Sequence, residues 1–427
     1  MGYLVAILAL IFLIIIHELG HFVAAKLCGV QVNEFALFFG PEIFSWQGKE
    51  TKYSLRCIPL GGFCAMEGED SESDNPRAFN RAAKWKRAII IAAGPIMNIV
   101  VALVAIAIVM CSSYFMTNVV DYVQPGSTAE VQGIQPGDVL YSVNGSKVYI
   151  ASDIEYLTYG QKPETLDVTI IRDGQKINLT LSPNYKRYMM NITVKSDDEG
   201  DVTTIVDSVV ESGAAHKAGM LAGDRIVAIN GVELLDKYAL DEVLANSNGQ
   251  EITVTVERDG QRIDLKLTPS LAIQNTTSAM GIYSFKYEKR NLLNVIPDSI
   301  DYLVSSVRTI YLSVVWLINR TVSVTEVSGP VGIVTTVGSI VNTSPTFADK
   351  ILNLLTVSSL ISINLGIFNL LPIPALDGCK LLFIGVSAIT RKDVPQKVEG
   401  IISLVGFAVL LLIMLLTTAK DIWGLFA

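Results

Sequence analysis

Histidine and cysteine are scarce in this 427-residue chain, and basic residues are fewer than acidic ones. It contains three histidines and five cysteines, and no cysteine falls between positions 112 and 378. A disulfide framework in the large middle region is therefore excluded. The 33 Lys and Arg residues stand against 41 Asp and Glu residues, and the resulting net charge of −8 gives no support to nucleic-acid binding.

Long apolar runs, by contrast, are abundant. Half of the residues are apolar, and the mean hydropathy of +0.44 is too high for a purely soluble multidomain protein. The first run, from Leu4 to Leu27, is long enough to cross a bilayer. No Lys or Arg precedes it, and it carries two of the three histidines, so we interpret it as a permanent span rather than a cleaved signal peptide.

This run contains the sequence Ile16-His17-Glu18-Leu19-Gly20-His21. On a helix, His17 and His21 project from one face and can share a metal ion. Glu18 follows the first histidine and can act as the general base for a water at the metal. Because a chance match has a probability on the order of one per cent, the motif predicts a zinc site. The third histidine, His216, lies in a soluble-looking stretch and is interpreted as a surface residue.

Residues 31–66 predict a β-hairpin. Two segments of alternating and aromatic character, 35–41 and 52–63, flank the polar sequence Gln47-Gly48-Lys49-Glu50, which is typical of a turn. Two placements are open: the hairpin enters the membrane with its backbone covered by protein, or it forms a small cytosolic sheet.

A basic segment precedes the second apolar run. Asn75-Pro76 predicts the start of a basic helix that leads into a second span, from Ala88 to Met116. Lys and Arg beside a span mark its cytoplasmic end, so the first span runs inward and the second runs outward. Within the second span, Gly94-Pro95-Ile96-Met97-Asn98 predicts a close helix contact.

The middle of the chain contains an internal repeat. Residues 133–145 align with residues 219–231, and residues 172–175 align with residues 258–261, at a constant offset of 86 positions. Asp-Gly steps between alternating strands indicate hairpins, so two copies of one small β-rich module are predicted. The Gly-Asp and Asn-Gly pattern of both copies resembles the PDZ domain. Peptide binding in a groove and steric guarding are equally open functions.

The C-terminal third contains one amphipathic segment and two further spans. Segment 291–320 has apolar residues at helical spacing and predicts an interfacial helix, and Ser328 to Ile333 predict a loop. The third span, from about Ile351 to Leu371, ends where Pro372 and Pro374 prevent a helix from continuing.

Asp377 follows that exit on the cytoplasmic side, at a depth comparable to that of the two histidines. It is the predicted third zinc ligand, and water would take the fourth position. A fourth span, from about Ile401 to Thr417, follows a basic loop.

The predicted fold class is a multi-pass α-helical membrane protein with four transmembrane helices, a membrane-associated β-hairpin and two inserted small β-rich PDZ-like domains. The predicted segments are transmembrane helix 1 with the histidine motif (1–28), the hairpin with the basic cytoplasmic helix (29–88), transmembrane helix 2 (89–117), PDZ-like domain 1 (118–185), PDZ-like domain 2 (186–275), the interfacial helix and loop (290–350), transmembrane helix 3 with the aspartate motif (351–388) and transmembrane helix 4 (399–419).

Taken together, these motifs resemble the site-2 protease family of intramembrane zinc metalloproteases, and most closely its bacterial regulator of sigma-E protease branch. The resemblance rests on five segments: residues 17–21, 59–63, 94–98, 329–333 and 369–378. It implies that His17, His21 and Asp377 bind zinc, that Glu18 is the catalytic base and that Asn369 assists substrate or transition-state binding.

The family usually carries a second glycine where this chain has Cys379. A positive φ at that position would strain a cysteine and make the geometry at Asp377 uncertain. We interpret Cys379 as a small filler, with a role as an additional ligand as the alternative.

The predicted function is hydrolysis of peptide bonds within transmembrane segments of single-span membrane proteins, in regulated intramembrane proteolysis. The 31–66 hairpin and the segment from Pro372 to Pro374 would bind the backbone of the unwound substrate. The resemblance implies a bacterial cytoplasmic membrane, PDZ-like domains on the outer side, and substrates such as anti-sigma factors or signal-peptide remnants already cut by another protease. The alternative is a catalytically silent adaptor that gathers clients through those domains.

Overall fold

The computed structural model describes residues 2–69, 72–158, 164–182, 185–196, 202–234, 239–274, 280–323 and 328–424. Positions 1 and 275, which bound two of the predicted segments, lie outside the described residues. The chain divides into two compact units, one formed by residues 1–112 with 295–427 and the other by residues 113–294. The first unit is mainly helical and the second is mainly β.

In chain order, the helices are α1 Gly2–Cys28, α2 Lys84–Ser112, α3 Thr128–Val131, α4 Asp153–Thr158, α5 Ala214–Lys217, α6 Ala239–Asn246, α7 Val295–Ile318, α8 Pro330–Thr343, α9 Phe347–Leu370, α10 Asp377–Thr390 and α11 Gln396–Gly424. The strands are β1 Val32–Gln47, β2 Lys52–Met66, β3 Phe115–Val123, β4 Val139–Val143, β5 Ser146–Lys147, β6 Leu166–Arg172, β7 Gln175–Leu181, β8 Tyr185–Met189, β9 Ile192–Ser196, β10 Val202–Val209, β11 Arg225–Ile229, β12 Val232–Glu233, β13 Ile252–Arg258, β14 Gln261–Leu267, β15 Ser270–Gln274 and β16 Ile282–Glu288.

Small residues allow α1 to pack closely against α2. The buried face of α1 consists mostly of glycine, alanine and histidine, whereas Leu4, Leu8 and Phe12 are exposed. A Cβ atom added at Gly20 would lie 2.4 Å from the carbonyl oxygen of Ala93 in α2. Small residues are the usual means by which membrane helices approach each other, because lipid supplies no hydrophobic force that would favour large ones.

The predicted hairpin forms, but its two long strands bend and build a sheet of four segments. Glu34 lies opposite both Ala65 and Lys52, so the first half of β1 lies between the two halves of β2. The second half of β1 pairs only with residues 52–56 of β2. The bends occur where φ is positive, including Gly40 and Gly61. The segment formed by residues 62–66 is consequently an edge strand.

The prediction that a basic helix starts at Asn75-Pro76 is wrong. Residues 72–83 contain only a single 3-10 turn, Phe79–Arg81, and α2 begins at Lys84 and continues into the apolar span. The backbone of this segment bonds to neighbouring strands instead of to itself: Gln31 N donates to Arg77 O, and Phe79 N donates to Glu67 O. Those bonds replace the intrahelical bonds that a helix would require.

Segment 328–333 was predicted as a loop, but Pro330 begins helix α8. Proline is favourable at the first position of a helix because its missing N–H would have no intrahelical acceptor there. Asp421 of α11 reaches this helix start, and its Oδ2 accepts from Gly332 N at 2.7 Å. Farther along α8, Gly338 contacts Tyr3 of α1 so closely that an added Cβ would lie 2.3 Å from the tyrosine ring.

Helix α7 forms where an interfacial helix was predicted. Its buried face mixes serines 299, 305 and 306 and Tyr302 with Val295 and Ile310, so only one residue of the expected apolar stripe, Ile310, is buried. Length and composition make it a candidate span, so the described residues contain five such helices: α1, α2, α7, α9 and α11. The predicted count of four spans and the interfacial placement of α7 therefore stay predictions.

The second unit contains two β modules with matching cores. The first module comprises β3–β7 and β16, and the second comprises β9–β14. Core residues Leu140 and Val143 of the first module correspond to Ile226 and Ile229 of the second at the offset of 86. The predicted Asp-Gly turns also form, with positive φ at both residues of each turn.

The second module is inserted into the first. Strand β16 follows the whole second module in sequence, yet it pairs with β3 at the edge of the first sheet. Strands β8 and β15, which enter and leave the second module, pair with each other. The first sheet therefore extends beyond the predicted segment 118–185.

Each module contains a buried aspartate that forms a hydrogen-bonded ion pair with an arginine. In the second, Arg258 Nε and Nη2 donate to Asp224 at 2.7 Å, and Arg258 Nη2 also donates to Gly219 O at 2.9 Å. Arg172 and Asp138 repeat these contacts in the first module. The hydrogen bonds from Arg258 hold the pKa of Asp224 below its ordinary value, despite the burial of the carboxyl group.

We expect Asp224→Asn to destabilise the second module by about 1.5–3 kcal/mol at neutral pH, because charge-assisted hydrogen bonds are lost. A lowered folded-state pKa means that the stabilisation is complete above the unfolded pKa of about 3.9 and is lost as the pH falls through the folded value. Hydrogen exchange of β11 in the intact protein, compared between variants at each pH, measures the difference.

The control is Glu233→Gln, which removes the exposed ion pair between Glu233 and Arg262 in the same module. It should leave exchange unchanged, because solvent screens exposed pairs. Equal protection in wild type and Asp224→Asn at neutral pH would show that the buried pair does not stabilise this module.

Candidate metal centre

Three side chains that could ligate a metal converge in the helical unit. His17 and His21 are only 9% and 7% exposed, and their Nε2 atoms lie 3.3 Å apart. Asp377 Oδ2 lies 3.1 Å from His17 Nε2 and 3.3 Å from His21 Nε2. The structure thus brings together the three predicted ligands, and the described residues contain no second group of this kind.

These distances fit a shared zinc ion. A tetrahedral site with bonds of about 2.0–2.1 Å places neighbouring ligand atoms about 3.3 Å apart. His21 Nδ1 lies 2.9 Å from the carbonyl oxygen of Ile90, an acceptor, so Nδ1 carries the proton and Nε2 presents a lone pair. That lone pair faces a carboxylate oxygen with no hydrogen-bond donor of its own. A cation between these atoms removes the repulsion among them.

Helix α2 shapes the space around both histidines. Gly94 lies against the His21 ring, where an added Cβ would be 2.3 Å from Nε2. One turn earlier, Ile90 accepts from His21, and one turn later, Asn98 Nδ2 lies 3.3 Å from His17 Nδ1. The motif from Gly94 to Asn98, which predicted only a close helix contact, therefore contacts both histidines.

Glu18 lies beside the edge strand of the β1–β2 sheet. A Cβ atom added at Gly62 would lie 3.3 Å from Glu18 Cγ and 3.0 Å from the carbonyl oxygen of Ala36. A glycine in β2 thus lets this strand approach the helix that carries the histidines. The Gly61-Gly62 pair marked the segment in the sequence, but its contact with Glu18 required the bend of the strand.

Asp377 begins helix α10 after a short break in the chain. Helix α9 ends at Leu370, and residues 371–376 form a turn in which Leu376 N donates to Ile373 O, rather than a fully extended segment. Gly378 packs under the end of α9, where an added Cβ would lie 2.1 Å from Leu371 O. The break therefore folds the chain back so that Asp377 reaches the histidines.

The other predicted site residues lie in or before this turn. Asn369 is partly buried at the end of α9, Pro372 is exposed, and Pro374 packs against Gly406 of α11. The structure gives no contact that joins these three to the cluster of ligands.

Cys379 is buried in the first turn of α10, and its φ is not positive, so the strain considered for this position does not arise. It does not belong to the cluster of candidate ligands among the described residues. His216 is exposed in α5, as expected of a surface residue.

Two buried imidazoles, one partly buried carboxylate and a neighbouring glutamate on apolar helices have the composition of a zinc hydrolase centre in a membrane protein. Residues 5–413 match the sequence model of peptidase family M50. The chain belongs to peptidase family M50, the site-2 proteases, and is a multi-pass membrane zinc metalloprotease.

Several relatives match along nearly the whole chain. The regulator of sigma-W protease RasP of Bacillus subtilis is 29% identical over 97% of this chain and 96% of its own length. Zinc metalloprotease RasP of Bacillus licheniformis is 30% identical over 97% of both chains. A protein of Clostridium acetobutylicum, provisionally named a zinc metalloprotease, is 31% identical over 98% of this chain and 96% of its own.

We expect Gly94→Ala to lower zinc content at least tenfold and to abolish cleavage, because the new methyl group occupies the position of the His21 ring. Metal analysis of the purified protein, together with cleavage of a tagged membrane substrate, measures both effects. Gly385→Ala in α10 is the matched control, because no atom lies within 4 Å of its added Cβ. Full zinc content in Gly94→Ala would mean that α2 does not confine His21.

Proposed function

We propose that this protein hydrolyses peptide bonds within the transmembrane segments of membrane proteins, with His17, His21 and Asp377 as the zinc ligands. The observation that carries the proposal is the convergence of these three ligand atoms, each within 3.3 Å of the others, on apolar helices. Polar and ionisable residues within membrane spans are rare and usually functional.

Each proposed residue has a role that its chemistry permits. Zinc, when bound, polarises the scissile carbonyl and lowers the pKa of a water. Glu18 accepts a proton from the attacking water and later delivers it to the nitrogen of the leaving amine. Asn369, at the end of α9, helps to bind the substrate or the transition state. The hydrophobic helices limit access of bulk water, which strengthens the electrostatic interactions at the site.

The substrate must be unwound before cleavage, because a helix engages its peptide groups in internal hydrogen bonds. Residues 62–66 pair with β1 along one edge, and their other edge has no strand partner among the described residues. An unwound substrate added there would replace its lost hydrogen bonds and pass beside Glu18, the neighbour of Gly62. Pro372 and Pro374 would contribute backbone carbonyls only, since proline has no N–H.

The two β modules are proposed to be PDZ-like domains on the outer side of the cytoplasmic membrane. Their roles as peptide grooves or as steric guards are both compatible with compact folds inserted between α2 and α7. A relative named as a regulator of sigma-W protease supports a role in regulated intramembrane proteolysis. Candidate substrates are single-span proteins, such as anti-sigma factors, that another protease has already shortened.

A silent adaptor is the alternative. It would require the β modules but neither the ligand cluster nor Glu18. The close packing of Gly94 and Gly378 around the ligands favours the enzyme, since an adaptor has no need of these contacts.

We expect Glu18→Gln to abolish cleavage while zinc content stays at the wild-type level, because Glu18 acts as a base and not as a ligand. A purified detergent assay with a tagged single-span substrate measures cleavage, and metal analysis measures zinc. Asp377→Asn is the counterpart: it removes a charged ligand with little change in shape, so zinc content and cleavage should fall together. Wild-type turnover by Glu18→Gln would exclude Glu18 as the base.

We expect replacement of residues 113–294 by a flexible linker to permit cleavage of substrates that retain a bulky outer domain. The whole unit must be removed, because deletion of residues 118–271 would leave β16 without its sheet. A substrate without the outer domain should be cleaved by both forms, and Glu18→Gln in the shortened protein should cleave neither. If the bulky substrate still resists cleavage by the shortened protein, the β modules do not act as a steric guard.

A further inference from the structure

The amide of Asn98 faces the zinc-ligand candidate His17 from behind. Asn98 is completely buried in α2, and its Nδ2 lies 3.3 Å from His17 Nδ1, the ring nitrogen that points away from the ligand cluster. Its Oδ1 is buried and has no hydrogen-bond partner in the described part of the chain. A buried oxygen without a donor, on the same amide as a nitrogen that faces a ring nitrogen, indicates that the two ends of the amide are exchanged or that a partner is missing.

The proton on His17 decides which amide atom must face it. A histidine that ligates through Nε2 presents a lone pair there, so its proton is on Nδ1. His21 already has this arrangement, because Ile90 O accepts from its Nδ1 at 2.9 Å. For His17, an amide N–H facing Nδ1–H would place two donors against each other. A half-turn of the Asn98 amide exchanges its nitrogen and oxygen and turns this contact into a hydrogen bond.

We propose that Asn98 is a positioning residue whose Oδ1 accepts from His17 Nδ1–H and thereby directs the Nε2 lone pair of His17 toward zinc. The inference deepens the proposed function, because it rests on His17 as a ligand. Carboxylates, carbonyls or waters commonly accept from ligating histidines and raise their basicity. In this protein, the acceptor for His21 is a backbone carbonyl, and the acceptor for His17 is a side-chain amide.

A contact from α9 also fixes the backbone of Asn98. Ser362, also completely buried, donates from Oγ to Asn98 O at 2.8 Å. One turn later, Gly366 lets α9 approach α2, where an added Cβ would lie 2.8 Å from Pro95 O. Because α9 leads directly into the turn before Asp377, the same helix packing positions His17 and the carboxylate ligand.

Two substitutions separate this role from simple packing. Asn98→Leu has similar volume but no acceptor, and it should weaken zinc binding about 10–100-fold. Asn98→Asp keeps an acceptor and removes the amide donor. Its zinc dissociation constant should therefore be lower than that of the wild type or no more than about threefold higher. Titration of the purified zinc-free protein with zinc against a competing chelator gives the dissociation constants. The thermal unfolding of each zinc-free variant is measured in parallel.

The control is Asn353→Leu, which removes an α9 amide that donates to Ser344. It should leave zinc affinity unchanged. A purely structural Asn98 would lower the unfolding temperature of the zinc-free leucine variant without changing its zinc affinity, and this result would overturn the proposal. Weak zinc binding by Asn98→Asp would also overturn it, because Nδ2 would then be the essential atom.

A spectroscopic measurement keeps the proposal testable if Asn98→Leu does not fold. The chain has only three histidines, so His216→Gln leaves the signals of His17 and His21 alone in nitrogen-15 spectra of the zinc-loaded protein in micelles. A protonated Nδ1 on both rings supports the proposal, and an unprotonated Nδ1 on either ring overturns it. Failure of the wild type to bind zinc would instead refute the proposed ligand set, which distinguishes the two hypotheses.

Discussion

The close approach of α1 and α2 is the constraint on which the centre depends. Gly20 on one helix and Gly94 on the other bring the two backbones together, and a methyl group at either position would overlap the opposite helix or the His21 ring. At this separation, Ile90 O comes within 2.9 Å of His21. Larger interface residues would move the helices apart, and the hydrogen bond that sets the proton on His21 would be lost.

The third ligand depends on a second contact of the same kind. Gly366 brings α9 against Pro95, and the turn after α9 then directs Asp377 back toward the histidines. Ser362 adds a hydrogen bond to the backbone of Asn98. Helices α1 and α9 thus both pack against α2, whose residues from Ile90 to Asn98 connect the packing of all three to the orientation of the ligands.

The histidine motif could be predicted from the sequence because its chemistry is local, whereas Asp377, far along the chain, was placed near it only from the order and direction of the spans. His17, Glu18 and His21 lie within two turns of one helix, and Asp377 follows a break that two prolines impose. The repeat predicted two β modules for a similar reason, since apolar positions and Asp-Gly turns recur at one offset. The role of PDZ-like domains and the placement of the modules outside the membrane stay predictions.

Long-range pairing was not accessible from these patterns. Strand β16 joins a sheet whose other strands end about a hundred residues earlier, and no local periodicity specifies that partner. The basic segment after Asn75 carried charges typical of a cytoplasmic helix, but its backbone bonds to Gln31 and Glu67, residues outside the segment. Cys379 raised a concern about strain because the family's glycine suggested a special backbone, whereas the position is simply helical.

Charge balance explains why the donor set suits an apolar site. Asp377 and Glu18 each contribute one negative charge when ionised, and zinc contributes two positive charges, so the complete centre is neutral if both histidines are neutral. An unpaired carboxylate at this depth would be strongly unfavourable, because burial removes its hydration without supplying a counter-charge. The hydrogen bond from His21 to Ile90 places the proton of the neutral ring on Nδ1, so its Nε2 lone pair faces the metal position. Asp377 and the metal are therefore mutually dependent, because the carboxylate that touches the metal would lack a counter-charge in an empty site, whereas Glu18 does not hold the metal.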